Sequence, residues 1–561
     1  MSPVVKGFLL SRLVRRRKNG EGNMKRLRRV AVFAATLVLA AATAFAGGDF
    51  TLTILHTNDI HAHLAAFDEW GAFCTKEKDA AGQCQGGAAR LATALARERA
   101  RGGNTLLLDA GDQFQGTLFF TRYKGEANAF FMDRLGYDAM TLGNHEFDDG
   151  PATLANFIRR LKFPVVTANV DLSASPKLKG LVAPYIVREV GGRKIGIIGA
   201  TQPKTAQISS PGPDVSFPKL VPAINQAVAE LRRQGVDIIV VLSHAGLAGD
   251  KKLAASVAGI DAIVGGHSHV LLGNGYPEAV GPCPLLVDAP DGGKTYIVTA
   301  GYWGRYLGVL HLAFDAAGRV TTADGNPVRL DAAVPEDPAT LAEVERFAKP
   351  LEAFRATVLG RTDGPLGAAM CRQEECAAGD LLAEAMLAGG RSRGAVAALV
   401  NGGGVRAGIA PGEVTLGDVL TAFPFPNTLT VLTLSGADLA LALEHGVSAV
   451  GLHEGSGRFP QVAGLRYAFD LSRPVGRRIL SVAVADAVGA FIPLDPTADY
   501  RLAISDFLYR GGDGYTVFRE KGRDVEGDGE TTADLIAAWI KAKSPLSPAL
   551  DGRIKAAAAG Q

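Results

Sequence analysis

Between Phe50 and about residue 330, short apolar runs alternate with amphipathic stretches, and this rhythm limits the chain to few architectures. The runs are TLTILHT (51–57), TLLLDA (105–110), AMTLG (139–143), PVVTANV (164–170), KIGIIGA (194–200), DIIVVLS (237–243) and AIVGG (262–266). Apolar runs too short to be helices, with amphipathic segments between them, read as strands buried on both faces of a layered α/β core. Ligands in such folds gather where strands end at their carboxyl side. Polar residues recur at those ends: Asp59 and His61, Asp112, then Asn144, His145 and Glu146, then His244, then His267 and His269. A single His at a strand end reads as a satisfied polar core residue. Five such segments, using five of the chain's ten histidines, read as a metal constellation.

Carboxylate, imidazole and amide oxygen suit Zn, Mn, Fe or Co. A carboxylate shared by two divalent ions would let them lower the pKa of a water and offset charge on a phosphoryl group. Asp112 is the natural bridge.

Past residue 330, Asp337-Pro338 reads as an N-cap followed by Pro at the first helical position. Leu341, Val344, Phe347, Leu351, Phe354 and Val358 then follow at three- and four-residue spacing, so a helical connector is expected over about 336–360, divided by Pro350. A second, mixed domain is expected over 361–555, with helices after Ser435 and near 532–543 and a frayed tail from Ala556.

Charge separates the head from the rest. The first 46 residues hold ten of the 59 Lys/Arg and one of the 57 Asp/Glu, leaving 49 bases against 56 acids, a net −7, in the remainder. No basic footprint for a nucleic-acid polymer is left there. Met24-Lys-Arg-Leu-Arg-Arg29, an apolar run from Val30 to Phe45 and Ala44-Phe45-Ala46 have the parts of a secretory signal cleaved after Ala46, and Met24 is an alternative start. The run is short for a membrane span, although an uncleaved anchor is the competing reading. A periplasmic or extracellular enzyme with no lasting membrane anchor and no obligatory protein partner is expected. Disulfides suit that compartment: Cys74 and Cys84 bracket one short segment and Cys371 and Cys376 another. Cys283 is left over, as a buried free thiol or as one half of an intermolecular bridge.

HTNDIHAH (56–63), DAGDQFQG (109–116), TLGNHEFDDG (141–150), LSHAG (242–246) and GGHSH (265–269) resemble the calcineurin-like metallophosphoesterases in their 5′-nucleotidase branch. CRQEECAAGDL (371–381), NGGGVR (401–406), FPFPN (423–427) and DFLYRGGDGY (506–515) resemble the second domain of that branch. The resemblance implies an α/β metallophosphoesterase domain over 47–335, two sheets flanked by helices, joined to a smaller α+β substrate-recognition domain. It implies two divalent metal ions, one on Asp59, His61, Asp112 and His269 and the other on Asp112, Asn144, His244 and His267. Some branches carry glutamine where this chain has His269, so metal preference is open. His145 and Asp148 would form a catalytic pair, with the imidazole donating to the phosphoryl group and the carboxylate orienting it. Phe425 and Phe507 would sandwich a nucleobase; Asn401, Asn427 and Asp513 would contact base or ribose, and Arg372 and Arg406 would clamp phosphate. The implied substrates are nucleoside 5′-phosphates, with UDP-sugars, nucleoside di- and triphosphates or 2′,3′-cyclic nucleotides as further candidates, turned over as the domains open and close. A sulfur-oxidation hydrolase of the same superfamily, a non-catalytic nucleotide-binding protein and a phosphodiesterase acting on nucleic acid are the alternatives.

Overall fold

The structure, a computed structural model, describes residues 50–451, 456–486 and 488–557; the head read as a signal lies outside the described residues. Among the described residues no helix is long and apolar enough to cross a membrane.

Two sheets make up the first part of the chain. The seven-stranded one orders its strands Val320–Gly325, Tyr306–Phe314, Phe50–Thr57, Thr105–Asp109, Ala139–Thr141 and Val165–Val166, with Val328–Arg329 paired to Tyr306–Phe314. The six-stranded one orders Leu285–Asp288, Lys294–Val298, Ala262–Gly265, Ile238–His244, Arg193–Thr201 and Tyr185–Val190. Neighbouring strands from Phe50–Thr57 to Val165–Val166, and from Arg193–Thr201 through Ile238–His244 to Ala262–Gly265, run parallel. Phe50, Leu52 and Ile54 share one core with Ile197, Ile239 and Val241, so the sheets pack face to face. Each such fully buried aliphatic side chain contributes about 1.5–3 kcal/mol.

Helices cover both outer faces. Leu55, Leu107 and Met140 of the first sheet pack on helices Ala88–Arg99, Glu126–Leu135 and Gly150–Arg160 through Leu91, Leu95, Phe131 and Leu154. Ile224, Leu231 and Leu253 bring helices Leu220–Arg233 and Gly246–Ala254 onto the second. All seven runs singled out in the sequence contain strands, but two are shorter than expected. The strand in 164–170 stops at Val166, because Thr167 N donates to Ala183 O (2.8 Å) and Ala168 N to Gly199 O (2.8 Å), which draws the chain toward the other sheet. The run 139–143 ends its pairing at Thr141. Sequence reading did not single out the nine-residue strand Tyr306–Phe314, which lies antiparallel to Phe50–Thr57.

The connector begins as expected: Asp337 caps helix Pro338–Ala348 by accepting from Thr340 N (2.7 Å), and Pro350 falls in a separate 3₁₀ turn, Lys349–Leu351. Phe347 and Leu351 join the first core. The expected apolar face stops there. Phe354 and Val358 are 39% and 50% exposed, because the helix ends at Arg355 and Val358 opens a strand paired with Gly412–Thr415.

Beyond it, a five-stranded sheet orders Pro460–Ala463, Ala397–Asn401, Asp499–Ser505, Thr428–Ser435 and Arg523–Thr531. Helices Ala377–Gly390 and Thr532–Lys543 pack on one face, and Gly436–Val447 and Thr516–Lys521 on the other. Two of these are the expected helices, and Ser435 Oγ caps its own by accepting from Asp438 N (3.1 Å). A four-stranded sheet ends in Ile554–Ala556, so Ala556, assigned to a frayed tail, is instead paired with Phe469. The Cys74–Cys84 and Cys371–Cys376 disulfides are formed, and Cys283 is a buried free thiol.

Candidate active site

The carboxyl ends of the parallel strands meet at one edge, and the loops leaving them are laced together. Asp59 N donates to Gly111 O (2.9 Å), His61 N to Asp112 O (3.0 Å) and Ala62 N to Gln113 O (3.0 Å). The buried carboxylate of Glu146 accepts from the backbone N–H of Gly143 (2.6 Å), Asp112 (2.9 Å), Gln113 (2.7 Å) and Phe114 (3.2 Å), tying the second loop to the third. Asn58 secures the first by donating to Asp59 Oδ2 (2.8 Å) and Gly301 O (2.6 Å).

This lacing holds a strained backbone. Asp59, His61, Asp112, His267 and His269 all have positive φ, between 48° and 74°. Left-handed backbone costs a non-glycine residue about 1–3 kcal/mol, is retained only where surroundings over-determine it, and clusters at functional sites.

The side chains so held converge. His61 Nε2 lies 3.9 Å from Asp59 Oδ1 and 3.8 Å from Asp112 Oδ2; His269 Nε2 lies 3.3 Å from Asp59 Oδ1 and 3.0 Å from His61 Nε2. His244 Nε2 lies 3.0 Å from Asp112 Oδ2, and His267 Nδ1 2.8 Å from Asn144 Oδ1. Donor atoms within ligating reach fall into the groups Asp59–His61–His269, Asp112–His244–His267 and His61–Asp112–His145, with Asp112 in two of the three. All seven residues expected to hold metal are therefore together.

Tautomers show that the cluster suits a cation. His61 Nδ1 is 2.8 Å from Phe114 O and His244 Nδ1 is 2.7 Å from Ala110 O; a carbonyl only accepts, so both Nδ1 atoms carry hydrogen and, in the neutral imidazoles that ligate a metal, both Nε2 lone pairs point into the cluster. His244 Nε2 is a buried nitrogen without a hydrogen-bond partner beside a carboxylate. Burial lowers the His244 pKa, but Asp112 and Asp59 outweigh it and push it up to about 10, which measures how strongly the carboxylates call for positive charge there. Buried carboxylates among bare imidazole nitrogens fit a divalent metal.

Gly143 permits the closest of these approaches. A Cβ there would lie 2.1 Å from Asp112 Oδ1. Gly143→Ala is expected to displace Asp112 and lower both bound metal and turnover, the latter by about 10²-fold. Elemental analysis and phosphate release check this; retention of both would mean that the loop yields freely.

Beside the cluster, His145 Nδ1 is 2.6 Å from Asp148 Oδ2. Burial lowers the His145 pKa, but the Asp148 and Asp112 carboxylates raise it more, leaving it above the ordinary value. His145 also faces the other half of the chain. Its ring stacks on Phe425, centroids 5.7 Å apart, and the Arg406 guanidinium lies 5.9 Å from the Phe425 ring centre with Nη2 3.1 Å from His61 Nε2.

A cleft of about 1700 Å³ joins the two halves. Asn144, His145 and His267 line it from one side; Arg372, Arg406, Phe425, Asn427, Phe507 and Asp513 line it from the other. Asn401 also reaches it, with Nδ2 donating to Asp513 Oδ2 (2.7 Å). Phe423 is core at 3% exposure, whereas Phe425 and Phe507 are half-buried with the cleft beside them. Gly512 allows Phe507 its place, since a Cβ there would lie 2.5 Å from the ring. Burial, and then repulsion from Arg372, push Arg406 down to about 10, so two half-buried arginines face one space suited to an anion.

Sequence reading places Glu146 in the strand-end constellation without a task of its own, and assigns no role to Asn58, Tyr302 or Ser209. Tyr302 stacks on His269, centroids 4.9 Å apart and planes at 15°. Asn58 and Glu146 lie inside quoted motifs, HTND and GNHE, which were the available signal.

Residues 52–271 match the calcineurin-like phosphoesterase family and residues 358–520 the 5′-nucleotidase C-terminal domain. The 5′-nucleotidase of Homo sapiens is 36% identical over 547 residues, 93% of this chain and 94% of that protein. The chain belongs to the 5′-nucleotidase family. A crystal structure of a 5′-nucleotidase precursor from Thermus thermophilus superposes with a TM-score of 0.85 at 43% identity, covering 90% of this chain and 99% of that one. A sulfate thiohydrolase, SoxB, from Thermus thermophilus shares the fold with a TM-score of 0.70 at 20% identity, covering 91% and 97%. As a member of the 5′-nucleotidase family, with a metallophosphoesterase domain, the chain is a metal-dependent phosphoester hydrolase.

Proposed function

We propose that the chain is an exported 5′-nucleotidase that hydrolyses nucleoside 5′-monophosphates to nucleoside and phosphate, using two divalent metal ions. Support for export comes from the basic–apolar head and the two disulfides. The domain limits that go with this reading are 47–335, the connector 336–360 and 361–555. The observation that carries the proposal is one cleft containing a carboxylate–imidazole cluster, two half-buried arginines and two half-buried phenylalanines.

Asp59, His61, Asp112 and His269 would hold one ion, and Asp112, Asn144, His244 and His267 the other. When bound, the ions would supply a water of lowered pKa and positive charge for the phosphoryl oxygens. The chain's own groups then have separable tasks. Arg372 and Arg406 present guanidinium forks to the phosphate, fixing its orientation. His145, whose protonated form Asp148 favours, would donate to a phosphoryl oxygen and stabilise charge that grows there as the bond to the ribose oxygen breaks. Phe425 and Phe507 would stack on the base at about 1–3 kcal/mol per stacked face, tolerant of base identity. Asn401 and Asn427 would contact base or ribose, and Asp513 would accept from ribose hydroxyls.

Hydrolysis of AMP, ADP, UDP-glucose, 2′,3′-cyclic AMP, single-stranded DNA and a thiosulfate ester, each followed through its own products (phosphate, nucleotide or sulfate) with and without chelator, tests the proposal. AMP is expected to be turned over fastest and every activity to disappear with chelator. Faster cleavage of the thiosulfate ester would favour the sulfur-oxidation branch, and binding of AMP without turnover a non-catalytic protein.

A further inference from the structure

Resting on the reading of His145 and Asp148 as a catalytic pair, the geometry points to Ser209 as a positioning residue: its hydroxyl fixes the Asp148 carboxylate and, through it, the His145 imidazole. Ser209 belongs to none of the matched motifs. It follows the short helix Thr205–Ile208, beyond the end of strand Arg193–Thr201, and its backbone is extended (φ −153°, ψ −170°). Its Oγ donates to Asp148 Oδ1 at 2.6 Å, 61 positions away in the chain. The other carboxylate oxygen, Oδ2, lies 2.6 Å from His145 Nδ1.

A carboxylate held at one oxygen can swing about its side-chain torsions; one held at both oxygens cannot. Asp148 and His145 side chains are only 10% and 11% exposed, so water is poorly placed to replace a lost donor. The helix leading into Ser209 is itself held in place. Thr205 Oγ1 donates to Gln202 O (2.6 Å), and the helix Thr205–Ile208 packs against the Gly512–Gly514 turn of the other half of the chain. That turn carries Asp513, so Ser209 sits where the second half meets the catalytic pair. His145 stays hydrogen-bonded to Asp148 without Ser209, but over a wider range of ring orientations, and transition-state stabilisation depends on that orientation.

The test measures kcat, KM and bound metal for Ser209→Ala, Ser209→Thr, Asp148→Ala and the double variant Ser209→Ala/Asp148→Ala, on AMP and on p-nitrophenyl phosphate. A hydrogen bond to a charged group corresponds to about a 10- to 100-fold effect, so Ser209→Ala is expected to lower kcat by that factor on both substrates. KM and metal content should stay within about twofold, because neither the base clamp nor the metal ligands are touched. Ser209→Thr, which keeps the hydroxyl, should retain most of the activity. With Asp148 already Ala, losing the hydroxyl should cost less than about threefold more. An unchanged kcat, a rise in KM alone, a loss of metal, or the full loss repeated in the Asp148→Ala background would each overturn the assignment. If AMP is not hydrolysed but the aryl phosphate is, the nucleotide reading fails while Ser209 is still tested on the aryl substrate.

Discussion

Asp112→Ala is expected to abolish metal binding and lower phosphate release by at least about 10³-fold, since charge stabilisation of several kcal/mol is lost with the ions. Asp112 makes more of the site than any other side chain. Its Oδ2 faces His244 Nε2, His61 Nε2 and His145 Nε2 at 3.0, 3.8 and 4.0 Å, while Oδ1 accepts from His145 N at 2.8 Å. Truncation removes the proposed shared ligand and also the anchor of the His145 backbone. It leaves three imidazoles crowded together with less negative charge to balance a bound cation. Elemental analysis of the purified variant, together with assays on AMP and an aryl phosphate, reads both consequences. Retained phosphatase activity at wild-type level would rule out a bridging role.

Phe507→Ala is the second large effect, and it should be selective. Losing one stacked face at about 1–3 kcal/mol lowers kcat/KM for AMP by about 5- to 150-fold. Hydrolysis of p-nitrophenyl phosphate, which has no nucleobase to stack, should fall by less than about threefold. The ring is half-buried, packs over Gly512 and borders the cleft, so its removal opens space on the cleft side. Equal losses on both substrates would mean that Phe507 serves only the packing of the second half.

Much of this site could be read from the sequence because each proposed ligand lies at or a few residues beyond the end of a strand. Buried parallel strands announce themselves as apolar runs, and their carboxyl ends lie at a common edge, so Asp59, Asp112, Asn144, His244 and His267 could be placed near one another before any coordinates. The second-half residues were legible only through resemblance: nothing in FPFPN alone separates Phe425, facing the cleft, from Phe423, in the core. Ser209 left no local signal, because its role depends on a hydroxyl meeting a carboxylate across 61 positions. Tyr306–Phe314 was passed over because it follows a stretch rich in Gly and Pro, although its own apolar run is long. The connector was overextended to Val358 because three- and four-residue spacing persists in the sequence after the helix has ended at Arg355.

The most direct test of convergence on a pair of ions is a titration of metal into chelator-stripped protein, following ions bound per chain and AMP hydrolysis together. Turnover that is absent in the stripped protein and reaches its plateau at two ions per chain is the expected result. AMP hydrolysis that persists at full rate in metal-free protein would contradict it.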